Sequence, residues 1–159
     1  MEHLGREGRR ADQILVHLRS LNAVCDGGEI SELSHALQTA SRAERAGADR
    51  EVVLAALLHD IGKVFGDARH AEISAEVLAP HVREEVLTVV RHHCAFTARH
   101  WNDIGPHDGD PRDQFAAASW FDLACRFVDE WDMQSFDPNY DSFPLEHFED
   151  LVRTLVTGP

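Results

Sequence analysis

Cysteine is scarce in this sequence and unpatterned. The three present, Cys25, Cys94 and Cys125, are odd in number and lack the CxxC or finger spacing of a zinc module. A disulfide framework is therefore excluded as the organising device, and the three read as reduced thiols of a cytoplasmic protein. Long apolar runs are missing too. No early stretch resembles a signal peptide and none is long enough to span a bilayer, so a soluble, cytoplasmic chain without membrane association is expected. Basic residues are few: 15 Lys and Arg stand against 28 Asp and Glu, a formal net charge of −13. That balance argues against nucleic-acid backbone binding, which needs a basic face. It leaves room for a phosphorylated small molecule in a locally basic pocket. Strand-like alternation, internal repeats and low-complexity segments are absent as well.

What remains is helical. The 159 residues suit one domain, residues 1–159 with a core of about 29–156, and an apolar share of 43% is enough to build it. Residues 1–10 are polar and Gly/Arg-rich, which predicts a loose terminus. Ile14, Leu15, Leu18 and Leu21 give a helical period over 11–24, broken by Cys25-Asp26-Gly27-Gly28. Ser31 with Ser34 reads as a helix start, running to about Ala46 before Gly47. Asp49 caps a helix whose body, Val52 to Leu58, is apolar on most sides and therefore central. Further helices are expected over 71–78, 83–95, 114–130 and from Pro144 to about Val156, with a Gly/Pro/Asp-rich loop or lid at Trp101–Pro111. The fold class is all-α, a compact helical bundle.

Eleven histidines are many for this length, and they are scattered rather than run together. His59 and Asp60 end the most apolar helix, where a charged Asp is costly to bury without compensation. A metal ion compensates; the plainer alternative is a His at a helix C-terminus beside an exposed Asp. Other helices supply partners. His35 lies on the helix from Ser31, and His70 opens the one after the short loop. His93 shares the core-facing period of Val86, Val89 and Val90, and Asp132 follows Trp131 at the end of another apolar helix. Of neighbouring candidates, period favours His93 over His92, and Pro80 separates His81 from the rest. His100, His107 and His147 read as loop or surface residues, with His100 within possible reach of the site. Imidazoles and carboxylates without a thiolate suit iron or manganese and argue against a structural zinc. Six ligands exceed what one ion needs with open positions left, so a two-metal site with Asp60 as bridge is the natural arrangement.

His35, His59-Asp60, His70, His93 and Asp132 resemble the H…HD…H…H…D pattern of the HD-domain superfamily. In this six-ligand form they are similar to its mixed-valent diiron oxygenases, the myo-inositol oxygenases and 2-amino-1-hydroxyethylphosphonate dioxygenases. Ser31-Glu-Leu-Ser-His35-Ala-Leu-Gln38-Thr-Ala and Leu57-Leu-His-Asp-Ile-Gly62 lie nearest the phosphonate group, and the resemblance runs from about Glu29 to Phe148. It implies an enzyme with two iron ions, Fe(II)/Fe(III), that uses O2 to oxidise or cleave a small polar alcohol or phosphonate-type substrate. It also implies a substrate-contacting, catalytic role for Lys63; a solvated lysine at a helix end is the alternative. Arg126 could bind an anionic group or a surface acid. The phosphonate group shields one iron with a tyrosine and a glutamate before its first histidine. Glu29 can match the glutamate, one residue short, but the chain's single tyrosine is Tyr140.

The tail from Trp131 to His147 resembles HD proteins described as phosphohydrolases, and there Asp137 and Asp141 read as turn formers. Three functions thus stand in order. The first is the diiron oxygenase. The second is a manganese- or other metal-dependent phosphohydrolase acting on a nucleotide or small phosphate ester. The third is a non-catalytic HD module, against which the intact ligand set weighs.

Overall fold

The chain is seen in a computed structural model that describes residues 2–25 and 28–157. Asp26 and Gly27 of the expected helix break lie outside it. Seven α-helices follow in order: α1 Glu2–Ser20, α2 Glu32–Arg45, α3 Arg50–Leu58, α4 His70–Leu78, α5 Glu84–Thr97, α6 Phe121–Arg126 and α7 Leu145–Thr157, with no strand among the described residues. The all-α expectation holds. Residues 2–10, expected as a loose terminus, belong to α1 instead; Ala11, Ile14, Leu15 and Leu18 bury its apolar stripe, and the helix lies along α7.

Helix α3 is the axis of the bundle. Residues Val52 to Leu58 are all buried, with α2, α5 and α7 packed around them. Its start is set as expected: the Asp49 carboxylate accepts from the amides of Glu51 and Val52 at 3.1 and 3.2 Å. Helix α2 begins where Ser31 Oγ accepts from Ser34 N. It ends in a Schellman turn, with Ala48 N bonded to Ala43 O, Gly47 N to Glu44 O, and Gly47 at φ 78°. The polar face of α2 pins the distant segment 135–143. Gln38 exchanges hydrogen bonds with the backbone of Asp137, and Ser41 Oγ accepts from Phe143 N.

After α3 the chain tightens into a 3-10 turn, Ile61–Val64. Gly62 is required there, because a Cβ at this position would lie 2.4 Å from His70 O. Its amide also donates to Ser74 Oγ at 2.9 Å. The absent side chain lets α4 close onto the His59-Asp60 turn.

The expected helix over 114–130 is not continuous. A 3-10 turn at Pro111–Phe115 leads through further turns to α6, and then to a π-helical turn, Phe127–Asp132, closed by Met133 N to Val128 O at 2.9 Å. An aromatic cluster explains the break. Phe115 and Trp120 both pack on His92 and Phe96, with ring centroids 4.9 Å from each other. Five residues apart on an α-helix they would diverge by about 140°. The π-turn is held by Arg112, which is fully buried and forms a bidentate pair with Asp129 at 2.8 and 2.9 Å. His100 shares that carboxylate at 2.6 Å rather than reaching the centre.

Candidate metal centre

Four imidazoles converge beneath α3. Each points its Nδ1 at a backbone carbonyl: His35 at Ser135 O (2.9 Å), His59 at Ala56 O (2.8 Å), His70 at Asp67 O (2.8 Å) and His93 at Val90 O (2.6 Å). A carbonyl can only accept, so every Nδ1 carries a proton and every Nε2 is left as the inward atom. Backbone bonds of this kind fix the tautomer and orientation of metal-binding histidines.

The Nε2 atoms meet two carboxylates. His35 Nε2 lies 3.2 Å from His59 Nε2, 3.0 Å from Asp132 Oδ1 and 3.5 Å from Asp60 Oδ2. His59 Nε2 is 3.4 Å from both of those oxygens. The other oxygen of Asp60 faces a second pair: Oδ1 is 3.2 Å from His70 Nε2 and 3.3 Å from His93 Nε2, which are 3.4 Å apart. All but the 3.5 Å contact fall within the edges of a coordination shell, since donors about 2.1 Å from one ion sit about 3.0–3.4 Å from each other. The structure thus brings together all six residues singled out in the sequence. His92 stacks on Trp120 instead. Asp137 caps its own turn by accepting from Asn139 N, and Arg126 pairs with Glu130 on the surface.

The electrostatics suit a cation. Four inward imidazole nitrogens and two carboxylates, all but His70 buried, would repel one another with nothing between them. Asp60 Oδ1 makes no well-aligned hydrogen bond to any described residue. Without metal, protons fill the role. Burial opposes charge on His35, but Asp132, then Asp60 and the Ser135 carbonyl, raise it to about 9. Burial likewise opposes charge on His70, which Asp60, with Cys94 and Asp67, brings up to about 10, and Asp60 and Cys94 hold His93 well above its ordinary value. Burial would raise both acids, yet His59 and its neighbours keep Asp60 and Asp132 well below the usual carboxylate range. A donor set preloaded with protons on metal-facing nitrogens is one that metal ions would displace.

Above this cluster opens a pocket of about 250 Å³, whose lining includes His35, Asp60, Lys63, His70, Trp101 and Phe136. Lys63 is not the solvated lysine of the alternative expectation: its Nζ lies 3.1 Å from both Glu32 Oε1 and Asp60 Oδ2. Glu29, matched above to a shielding glutamate, is exposed, and Glu32 is the buried acid at the site. Its position three residues before His35, on the same helix face, is the signal that would have found it. Tyr140 lies far off, its hydroxyl bonded to Arg45. Phe136 stacks on His35 at 4.4 Å and meets Trp101, from the expected lid, edge-on at 5.6 Å.

Cys94 was also missed. Its Sγ is 3.5 Å from His70 Nε2 and 3.7 Å from His93 Nε2. Burial pushes the thiol up, but His70 and His93 outweigh it and bring it down to about 6. The inference against zinc from the lack of a thiolate therefore does not hold.

A helical fold built round a buried His-Asp pair, with further histidines and an aspartate converging on it, defines a metal-dependent class. The chain belongs to the HD-domain family, whose profile matches residues 33–133. It is similar to a [1-hydroxy-2-(trimethylamino)ethyl]phosphonate dioxygenase (glycine-betaine-forming) from Leisingera caerulea, 36% identical over 166 residues, covering 82% of this chain and 81% of that one.

Proposed function

We propose that this chain is a diiron oxygenase that uses O2 to oxidise or cleave a small polar alcohol of phosphonate type. His35, His59, Asp132 and Asp60 Oδ2 would hold one iron, and Asp60 Oδ1, His70 and His93 the other. The observation that carries this reading is Asp60, whose two oxygens face two separate pairs of histidine Nε2 atoms. The dioxygenase activity named for the Leisingera relative supports oxidation over hydrolysis.

Two iron ions, when bound, would supply Lewis-acid and one-electron chemistry at the carbon bearing the substrate hydroxyl. The chain's residues do the rest. Lys63, its Nζ beside Glu32 and Asp60 in the pocket lining, would offer a charged donor to a phosphonate. Trp101 and Phe136 form an aromatic wall of the pocket that offers ring surface to a substrate ammonium group. The four Nδ1 bonds keep the imidazoles from rotating during turnover.

The test is anaerobic Fe(II) loading of the whole chain, followed by O2 uptake with [1-hydroxy-2-(trimethylamino)ethyl]phosphonate and with 2-amino-1-hydroxyethylphosphonate. Two irons per chain, a half-reduced diiron EPR signal and substrate-dependent O2 consumption are expected. Phosphate release from nucleotides with manganese, with no O2 uptake from the iron-loaded protein, would turn the reading to the phosphohydrolase.

A further inference from the structure

The His70–His93 pair has a third neighbour that the proposed ligand set leaves unused. Cys94 follows His93 on α5 and sits in the wall of the same pocket, its sulfur near both inward nitrogens. Three edges can be tested against coordination geometry. Donors on a tetrahedral ion, at about 2.0–2.1 Å for nitrogen and about 2.3 Å for sulfur, stand roughly 3.3–3.4 Å apart for N···N and roughly 3.5–3.6 Å for N···S. The observed edges are 3.4 Å for His70–His93, 3.5 Å for His70–Cys94 and 3.7 Å for His93–Cys94. An ordinary thiol beside two imidazoles needs only one of these contacts. The three together describe one face of a coordination shell, and His70, His93 and Cys94 form a cluster able to grip one ion.

We infer that Cys94 is a protein ligand of the second metal position, which then takes His70, His93 and a thiolate beside Asp60 Oδ1. This rests on the metal-pair reading above. Binding exchanges the thiol proton for the ion and releases it to solvent, with no oxidant involved. The consequence is an asymmetric centre. The position at His35, His59 and Asp132 has only nitrogen and oxygen donors. The other gains a soft donor that favours zinc, iron or cobalt over manganese and magnesium. It also takes up a coordination site that water or substrate would otherwise use, which leaves each position with four protein donors.

Cobalt(II) titration of the metal-free full chain tests this, because the d–d bands report occupancy and a thiolate adds a near-ultraviolet charge-transfer band. The expected result is a charge-transfer band in the wild type that C25S and C125S retain. C94S should lose it, keep the d–d bands and bind the second equivalent about tenfold more weakly or worse. Alkylation of Cys94, followed by mass spectrometry, should slow at least about tenfold on metal loading, in line with a ligand-sized change in affinity. A wild type with d–d bands and no thiolate band, or a C94S variant that keeps the band, overturns the assignment and leaves the metal pair standing. No cobalt uptake at all overturns both. Cys94 is exposed at the pocket mouth, so the serine variant puts no core packing at risk.

Discussion

Asp60 Oδ1 and Oδ2 serve different histidine pairs, so asparagine at this position keeps the shape and removes the charge on which both depend. D60N is expected to fold, by circular dichroism, and to hold at most one metal per chain by elemental analysis; two retained equivalents would refute the bridge. Lys63 makes a separate prediction. In K63M the carboxylates of Glu32 and Asp60 lose their ammonium, while every proposed ligand remains. Metal content should persist and kcat/KM for a phosphonate substrate fall by about ten- to a hundredfold, the worth of one charged hydrogen bond of roughly 1.5–3 kcal/mol. Unchanged kcat/KM would return Lys63 to a packing role. At this scale the six convergent residues were legible, because helical period and helix ends mark inward positions. Glu32 and Cys94 were not. Glu29 competed for the first by its alignment, and Cys94 sits about 100° round the helix from the inward His93, where periodicity predicts nothing.

The elements owe their placement to contacts that periodicity does not record. Gly62 is the sharpest case, since the atom in the way is backbone: a methyl group would meet His70 O at 2.4 Å and His70 Cα at 2.9 Å. G62A must push α4 off the His59-Asp60 turn, at a cost of about 1–3 kcal/mol as in overpacked cores. The expected readout is a lowered denaturation midpoint together with weakened binding of the second metal equivalent. A midpoint shift with both affinities intact would show that α4 can retreat without carrying His70 away. Arg112 governs the other flank. R112A strips the partner from Asp129 and from the carbonyl of Phe96, and is expected to destabilise by on the order of 2 kcal/mol, discounted because Asp129 is a third exposed. Denaturant titration checks it. The central helix was legible because α3 is apolar on every side, and the ends of α2 because Ser31 and Gly47 carry capping chemistry. The break between Phe115 and Phe121 was not, because its cause is an aromatic cluster whose members lie far apart in sequence.

At the scale of the whole molecule, the centre ties folding to both protons and metal. In the metal-free protein His35 and His70 hold their protons up to about 9 and 10, against 6.5 for an unperturbed histidine. Offset in part by Cys94, whose thiol is brought down to about 6, the two histidines thus give the native state more bound protons than the unfolded chain between pH 6.5 and about 10. That contribution is complete below pH 6.5 and disappears as pH rises through the folded values. The acids act with opposite sign. Asp60 and Asp132 are held below 3.8, so their contribution is present above that pH and fades as pH falls under it. Metal-free protein should therefore be most stable between about pH 4 and 6.5 and lose stability steadily towards pH 10. Metal reverses the alkaline limb. Ions replace the protons, so binding tightens as pH rises, and metal at a hundredfold its Kd adds about 2.7 kcal/mol per site. Urea midpoints at pH 6, 8 and 9.5, with and without metal, are expected to diverge as pH increases. Comparing the two forms removes the general repulsion from a net charge of −13, which both carry through their surface acids. Parallel curves would mean that the buried histidines keep ordinary proton affinities, and that the cluster is held together by packing rather than by the charge it encloses.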